Sequence, residues 1–187
     1  MKIISFYSNE KQLIKKSLAG DREAQKRLYE KHAPKMLSVC RQYVKDLHFA
    51  EDVMMNGFVK VFKHLASFRF EGSFEGWVRR IMVRESITHL RKQQFVVFDD
   101  GIFEKIASPS ITTSSELDVA HIQTLIDDLP EGYRAVFVLF AVEGYSHNEI
   151  ADMLDISEGT SRSQLFKSRK MLKEKLKQQN IIGYGTE

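Results

Sequence analysis

Ser146 and Glu149, three residues apart and just ahead of Ile150, Ala151 and Leu154, spell a helix start that leaves the C-terminal part of this chain little freedom. A serine at such a position can accept the backbone N–H three residues on while the glutamate reaches back, and the apolar residues that follow give the helix one face to bury. Ser157 can cap a second helix from Glu158 after a turn of only three residues. Two helices joined that tightly form a helix-turn-helix. The second is also a basic run, in which Arg162, Lys167, Arg169, Lys170, Lys173, Lys175 and Lys177 are set against only Glu158 and Glu174. That balance suits a helix lying along phosphates with its N-terminal half in a DNA major groove.

The 187 residues, 43% of them hydrophobic, suffice for one domain or two small ones. No apolar run approaches the roughly 20 residues of a spanning helix. Met1 to Phe6 lacks the apolar stretch and small-residue cleavage site of a signal peptide, so a cytoplasmic protein is expected. Cys40, the single cysteine, falls in an apolar-periodic segment and is expected as a buried thiol. The net charge of +3 conceals a segregation. From Trp77 to Gln94, Arg79, Arg80, Arg84, Arg91 and Lys92 meet only Glu85. Between Phe95 and Pro130 the pattern inverts: Asp99, Asp100, Glu104, Glu116, Asp118, Asp127 and Asp128 meet only Lys105. Two basic modules flank an acidic middle.

Apolar spacing through the first half is helical. Asn9 or Ser8 can cap a helix ending at Gly20, and Asp21 can cap the next, which Pro34 is expected to interrupt or restart before Met36, Leu37, Cys40, Tyr43 and Val44. Phe49, Val53, Met54, Phe58, Val61, Phe62 and Leu65 mark a long amphipathic helix. A loop from Ser67 to Ser73 precedes another, marked by Phe74, Trp77, Val78, Ile81, Met82 and Leu90. Residues 9–94 therefore read as one helical domain. Residues 95–114, with clustered Ser, Thr and Pro, read as a linker. Its Phe95 to Phe98 run could form a strand, but without a partner strand an extended segment is expected. Helical spacing resumes at Leu117, Pro130 suits a helix start and Gly144 a helix end, which makes residues 115–180 a second domain. The fold class is all-α: two small domains on a flexible acidic linker. That linker, tethered beside two basic modules, is expected to compete with DNA phosphates in the free chain.

Ala50-Glu51-Asp52-Val53 with Phe58-Val59-Lys60-Val61-Phe62, then Phe74-Glu75-Gly76-Trp77-Val78-Arg79-Arg80-Ile81, then Leu129-Pro130 and Ser157-Glu158-Gly159-Thr160-Ser161-Arg162-Ser163 follow one another in a recognisable order. Together they resemble the bacterial sigma factors of the extracytoplasmic-function (ECF) group, with its region 2 and region 4 modules, over roughly residues 10–177. The resemblance implies that the Ala-Glu-Asp helix docks on a coiled coil of the largest RNA polymerase subunit. Asp52, Asn56, Phe58 and Lys60 would lie near that contact. Asp52 and Asn56 lead this set, because Phe58, Val61 and Phe62 also read as hydrophobic interior. Met55-Asn56 stands where the family usually has a Gln-Glu pair, one carboxylate fewer.

The segment from Ala66 to Lys92 resembles the part that captures the melted minus-ten element. Single-strand capture needs aromatic surface beside a basic track. Phe68, Arg69 and Phe70 on the loop and Arg80, Arg84, Arg91 and Lys92 on the helix are the candidates, while Phe74 and Trp77 read as interior. Arg84 stands where many relatives carry Asn. The recognition helix resembles the minus-thirty-five reader, with Thr160, Arg162, Ser163, Phe166 and Lys167 toward the bases. Arginine can bond a guanine edge, serine a base or phosphate, and phenylalanine a thymine methyl. Arg169, Lys170 and Lys173 would position phosphates, or form a solvated charged face.

The implied partners are RNA polymerase core, promoter DNA and an anti-sigma factor, which could hold the chain at the inner membrane face. No small-molecule substrate and no cofactor are expected. The six histidines lack metal-ligand spacing, and no Gly-rich phosphate loop follows a strand, so neither a metal site nor an enzyme is indicated. The rival reading is a helix-turn-helix regulator that binds duplex DNA without polymerase. It would need a ligand or receiver domain upstream, where this chain instead has helices and a second basic, aromatic-rich surface.

Overall fold

Helix α1, Ile3–Leu18, packs on α2, Arg22–Arg41, in a computed structural model that describes residues 3–94 and 119–178. Ser8 and Asn9, expected as a cap, lie inside α1. The structure also corrects the expected break at Pro34: α2 runs straight through it. A mid-helix proline loses one backbone bond, but Leu28 and His32 on one side of it and Met36, Val39 and Cys40 on the other are all buried and hold the helix together. Asp21 caps α2 as expected, accepting from the N–H groups of Glu23 at 2.9 Å and Ala24 at 3.1 Å.

α3, Leu47–Lys63, is capped by Asp46 and packs across α2; a single 3-10 turn, Leu65–Ser67, leads to the loop before α4, Phe74–Gln94. Gly57 marks where α3 and α4 meet, since a Cβ there would sit 2.3 Å from the Met82 sulfur. Cys40 is buried, and desolvation pushes its thiol up to about 11, so it is a packing residue and an unreactive one.

His32 is buried with its Nε2 3.0 Å from a Glu10 carboxylate oxygen, which also takes the Lys31 ammonium at 2.6 Å, tying α1 to α2. Burial holds the His32 imidazole below its ordinary 6.5, Lys31 adds to the lowering, and Glu10 and Glu75 pull the other way. The unfolded chain therefore takes up a proton near pH 6.5 that the folded chain refuses. Stability from this group is complete above that pH and falls as pH drops below it. Thermal melts from about pH 7.5 to 5.5 should show the decline, and His32→Gln should flatten it; an equal slope in that variant would exclude His32 as its source.

The chain divides into two compact units, Met1–Leu90 and Arg91–Glu187. In the second, α5 (Val119–Asp127), α6 (Glu131–Ala141), α7 (His147–Leu154) and α8 (Glu158–Gln178) enclose Leu125, Leu129, Val136, Leu139, Ile150 and Leu165. Pro130 opens α6, and Gly144 turns the chain after it at φ +78°. Among the described residues there is no strand, and the architecture is all-α. The linker residues 95–114, with the Phe95 to Phe98 run and the acidic Asp99, Asp100 and Glu104, lie outside the described residues.

Candidate nucleic-acid interface

The helix-turn-helix forms from the local signals that announced it. Ser146 and Glu149 make a reciprocal capping box, with Ser146 N–H donating to the Glu149 carboxylate at 2.8 Å. Those bonds hold the Glu149 carboxyl below its ordinary range. Asp155 takes the left-handed conformation at φ 58°, which aspartate tolerates better than most residues. The turn closes through Ser157, whose hydroxyl accepts the Thr160 N–H at 3.0 Å.

Buried Ser161, Leu165 and Ser168 form the inner stripe of α8, and the two serines let it approach α6 and α7 closely. The opposite face carries Arg162, Ser163, Phe166, Lys167, Arg169 and Lys170, all exposed. Phe166 stands 70% exposed among these charges. Each cation is held lightly. Arg162 pairs with Glu158 one turn back, Lys170 reaches Glu174 at 4.0 Å, Lys167 lies 5.8 Å over Tyr133, and Arg169 lies 5.5 Å over Phe140. Exposed pairs of this kind contribute about 0 to 1 kcal/mol, so phosphates and base edges can replace them at little cost. Thr160 stands apart: its hydroxyl, 2.8 Å from that of Ser157, belongs to the cap.

Sequence reasoning missed Arg134, buried in α6 with Nη1 donating to the Asp127 carbonyl at 3.4 Å. It also missed the stack of Phe140 on His147 (4.7 Å), whose Nδ1 lies 2.9 Å from the Ser161 hydroxyl. None of these three residues lies in a sequence pattern that marks its contacts.

The second basic face is a stripe on α4: Trp77, Arg80, Arg84, Thr88 and Arg91 recur at helical spacing, and the three arginines are exposed. Lys92 is exposed beside it, as is Arg69 on the loop. Phe68 departs from expectation. The Phe68 N–H closes the 3-10 turn on the Leu65 carbonyl at 3.1 Å, and the side chain is 8% exposed. Its ring lies 5.2 Å from Phe74 and 5.5 Å from Trp77. Phe68 is an interior residue, and Trp77 is half-buried. Phe70 remains on the surface.

α3 presents a third face. Asp52, Met55, Asn56, Val59 and Lys63 share one exposed stripe, with Met55 at 51% and Val59 at 64%. Phe58 points the other way, buried with its ring edge-on to Tyr29 at 4.8 Å, and leaves the candidate contact set. Lys60 fastens α3 to α4 through Glu85 at 2.5 Å. Met55 and Val59 were legible by counting three and seven residues on from Asp52. Among the described residues no cluster of His, Cys, Asp and Glu could hold a metal, and no helix is long and apolar enough to cross a membrane.

Comparison with known proteins gives the chain a family. The family model for sigma-70 region 2 matches residues 28–96, and that for sigma-70 region 4 matches residues 121–172. The RNA polymerase sigma-H factor of Pseudomonas aeruginosa is 28% identical over 180 residues, 89% of this chain and 93% of that one. The ECF RNA polymerase sigma-E factor of Escherichia coli is 29% identical over 178 residues, 88% and 92% of the two chains. Among solved structures, the sigma factor RpoE in complex with the anti-sigma factor NepR from Bartonella quintana superimposes with a TM-score of 0.50 at 22% identity, over 81% of this chain and 96% of that one. That likeness is one of fold.

Proposed function

We propose that this chain, which belongs to the sigma-70 family of RNA polymerase sigma factors and within it to the ECF group, directs polymerase core to promoters through three faces on two units. The observation that carries this reading is the pairing of aromatic and basic surface both on α4 with the loop before it and on α8, one suited to a melted strand and the other to a duplex groove. Residues 9–94 are assigned to polymerase binding and the minus-ten element, 95–114 to the linker, and 115–180 to the minus-thirty-five element. The α3 stripe of Asp52, Met55, Asn56 and Val59 is assigned to polymerase, Phe70, Arg69, Arg80, Arg84, Arg91 and Lys92 to the melted strand, and Arg162, Ser163, Phe166 and Lys167 to the upstream duplex. Arg169 and Lys170 neutralise phosphates. The protein acts where polymerase and DNA are, in the cytoplasm, and no catalytic step is assigned to it. An anti-sigma factor, the kind of partner named in the Bartonella quintana complex, would cover the apolar part of the α3 stripe in the free chain.

Transcription by polymerase core on a genomic fragment library, with and without the chain, tests the reading; chain-dependent start sites support it. A chain that binds duplex sites tightly alone and leaves polymerase unchanged would be an ordinary helix-turn-helix regulator. Arg162→Ala should cost about 1 to 3 kcal/mol at one upstream base position and relax preference there. Lys173→Ala should weaken every promoter alike. Equal losses for both variants across all upstream sequences would remove Arg162 from base reading.

A further inference from the structure

Phe70 stands at φ +59°, in the left-handed region where a bulky side chain is strained, on the loop between the 3-10 turn and α4. Such a conformation persists only where its surroundings hold it. The residue is 38% exposed and its ring lies 5.0 Å from that of Phe68, while the Lys11 ammonium, from α1, lies 5.4 Å from the Phe70 centroid. Lys11 is exposed, but its backbone is not loose. Ile14, one turn on, is buried, and α1 packs both on α2 and on the 3-10 turn that leads into this loop. An exposed aromatic residue with an ammonium over its ring, carried on a packed helix, is therefore built into the fold at the edge of the α4 basic stripe.

We infer that Lys11 is a positioning residue of the single-strand site: it covers the Phe70 ring in the free chain, and moves to a backbone phosphate when an unstacked base takes that ring face. The inference rests on the assignment of this loop to the melted strand. The exchange runs toward the base. Stacking on an aromatic side chain strengthens binding by about five- to 150-fold per base, against about two- to five-fold for an exposed ammonium over a ring. The displaced ammonium keeps its charge beside a strand that carries one phosphate per nucleotide. Lys11 thus occupies part of the ring's surface while no strand is present, then adds one charge contact once a strand arrives. α1, which carries none of the sequence blocks that point to DNA, becomes part of the reader.

The test uses polymerase core reconstituted with the full chain, binding a promoter fork that carries aminopurine at the unpaired minus-ten position, across a salt series. Lys11→Met keeps the stem and removes the charge. It should weaken binding several-fold at low salt and reduce the slope of log affinity against log salt by about 0.7, the value of one single-strand phosphate contact. Lys11→Arg should restore both. Phe70→Leu should diminish aminopurine quenching, and the double variant should lose less than the product of the single losses, because the two side chains share one step. An unchanged salt slope in Lys11→Met, or losses that simply multiply, overturns the inference. A wild-type complex that fails to bind the fork at all overturns the assignment of the loop beneath it, an outcome separable from the first because it does not depend on Lys11. Melting of the free Lys11 variants should match wild type, since that side chain lies in solvent.

Discussion

Replacing Phe68 with alanine is expected to destabilise the first unit by about 3 to 5 kcal/mol, the range for deleting a buried aromatic side chain. Phe68 fills the space between Phe70, Phe74 and Trp77, so its loss opens a cavity lined by rings that cannot collapse without tilting. Trp77→Ala removes a larger side chain, but one that is only half-buried, and should cost roughly half as much. Trp77 is the only tryptophan and belongs to this unit, so its fluorescence reports unfolding there in the full chain. Urea denaturation followed by that signal measures the Phe68 variant, and circular dichroism measures the Trp77 variant. A Phe68→Ala chain as stable as wild type would return this residue to the surface and to the set of base-stacking candidates.

The second large effect is on partner binding with the fold intact. Val59→Asp places a carboxylate at the centre of the exposed α3 stripe, between Asn56 and Lys63 and one turn beyond Met55. Valine and aspartate have similar helix propensities, and the side chain touches solvent, so stability should shift by no more than about 0.5 kcal/mol. If the stripe is buried against polymerase, the new charge is desolvated without a partner. Burying an unpaired carboxylate at the centre of an interface costs about 2 kcal/mol or more, roughly thirty-fold in affinity. Co-purification with polymerase core, or competition against a labelled sigma factor, reads this directly. Wild-type affinity in Val59→Asp would move the polymerase contact off α3.

The helix-turn-helix was legible to the residue because each of its signals is local. Ser146 and Glu149 bond each other, Ser157 bonds Thr160, and the buried face of α7 follows from spacing alone. The start of α1 and the continuity of α2 were not legible. A cap residue such as Asn9 permits a helix start without requiring one, and a proline breaks a helix only where packing does not hold both halves. Phe68 was misread for a related reason. Its immediate neighbours, Ser67 and Arg69, are polar, and nothing in the loop shows that a 3-10 turn aims the ring back at α4.

Periodicity, capping residues and charge blocks by themselves determined the all-α class, the helix-turn-helix and its three-residue turn, and the basic character of α4 and α8, because these depend on residues within about two helical turns of one another. Tertiary structure alone decided that Phe68 is interior and Trp77 only half-buried, and that Lys11 meets Phe70. Burial is a property of what packs on a residue from elsewhere in the chain. Lys11 and Phe70 are 59 positions apart in sequence, and no local pattern encodes the packing of α1 that brings them within 5.4 Å.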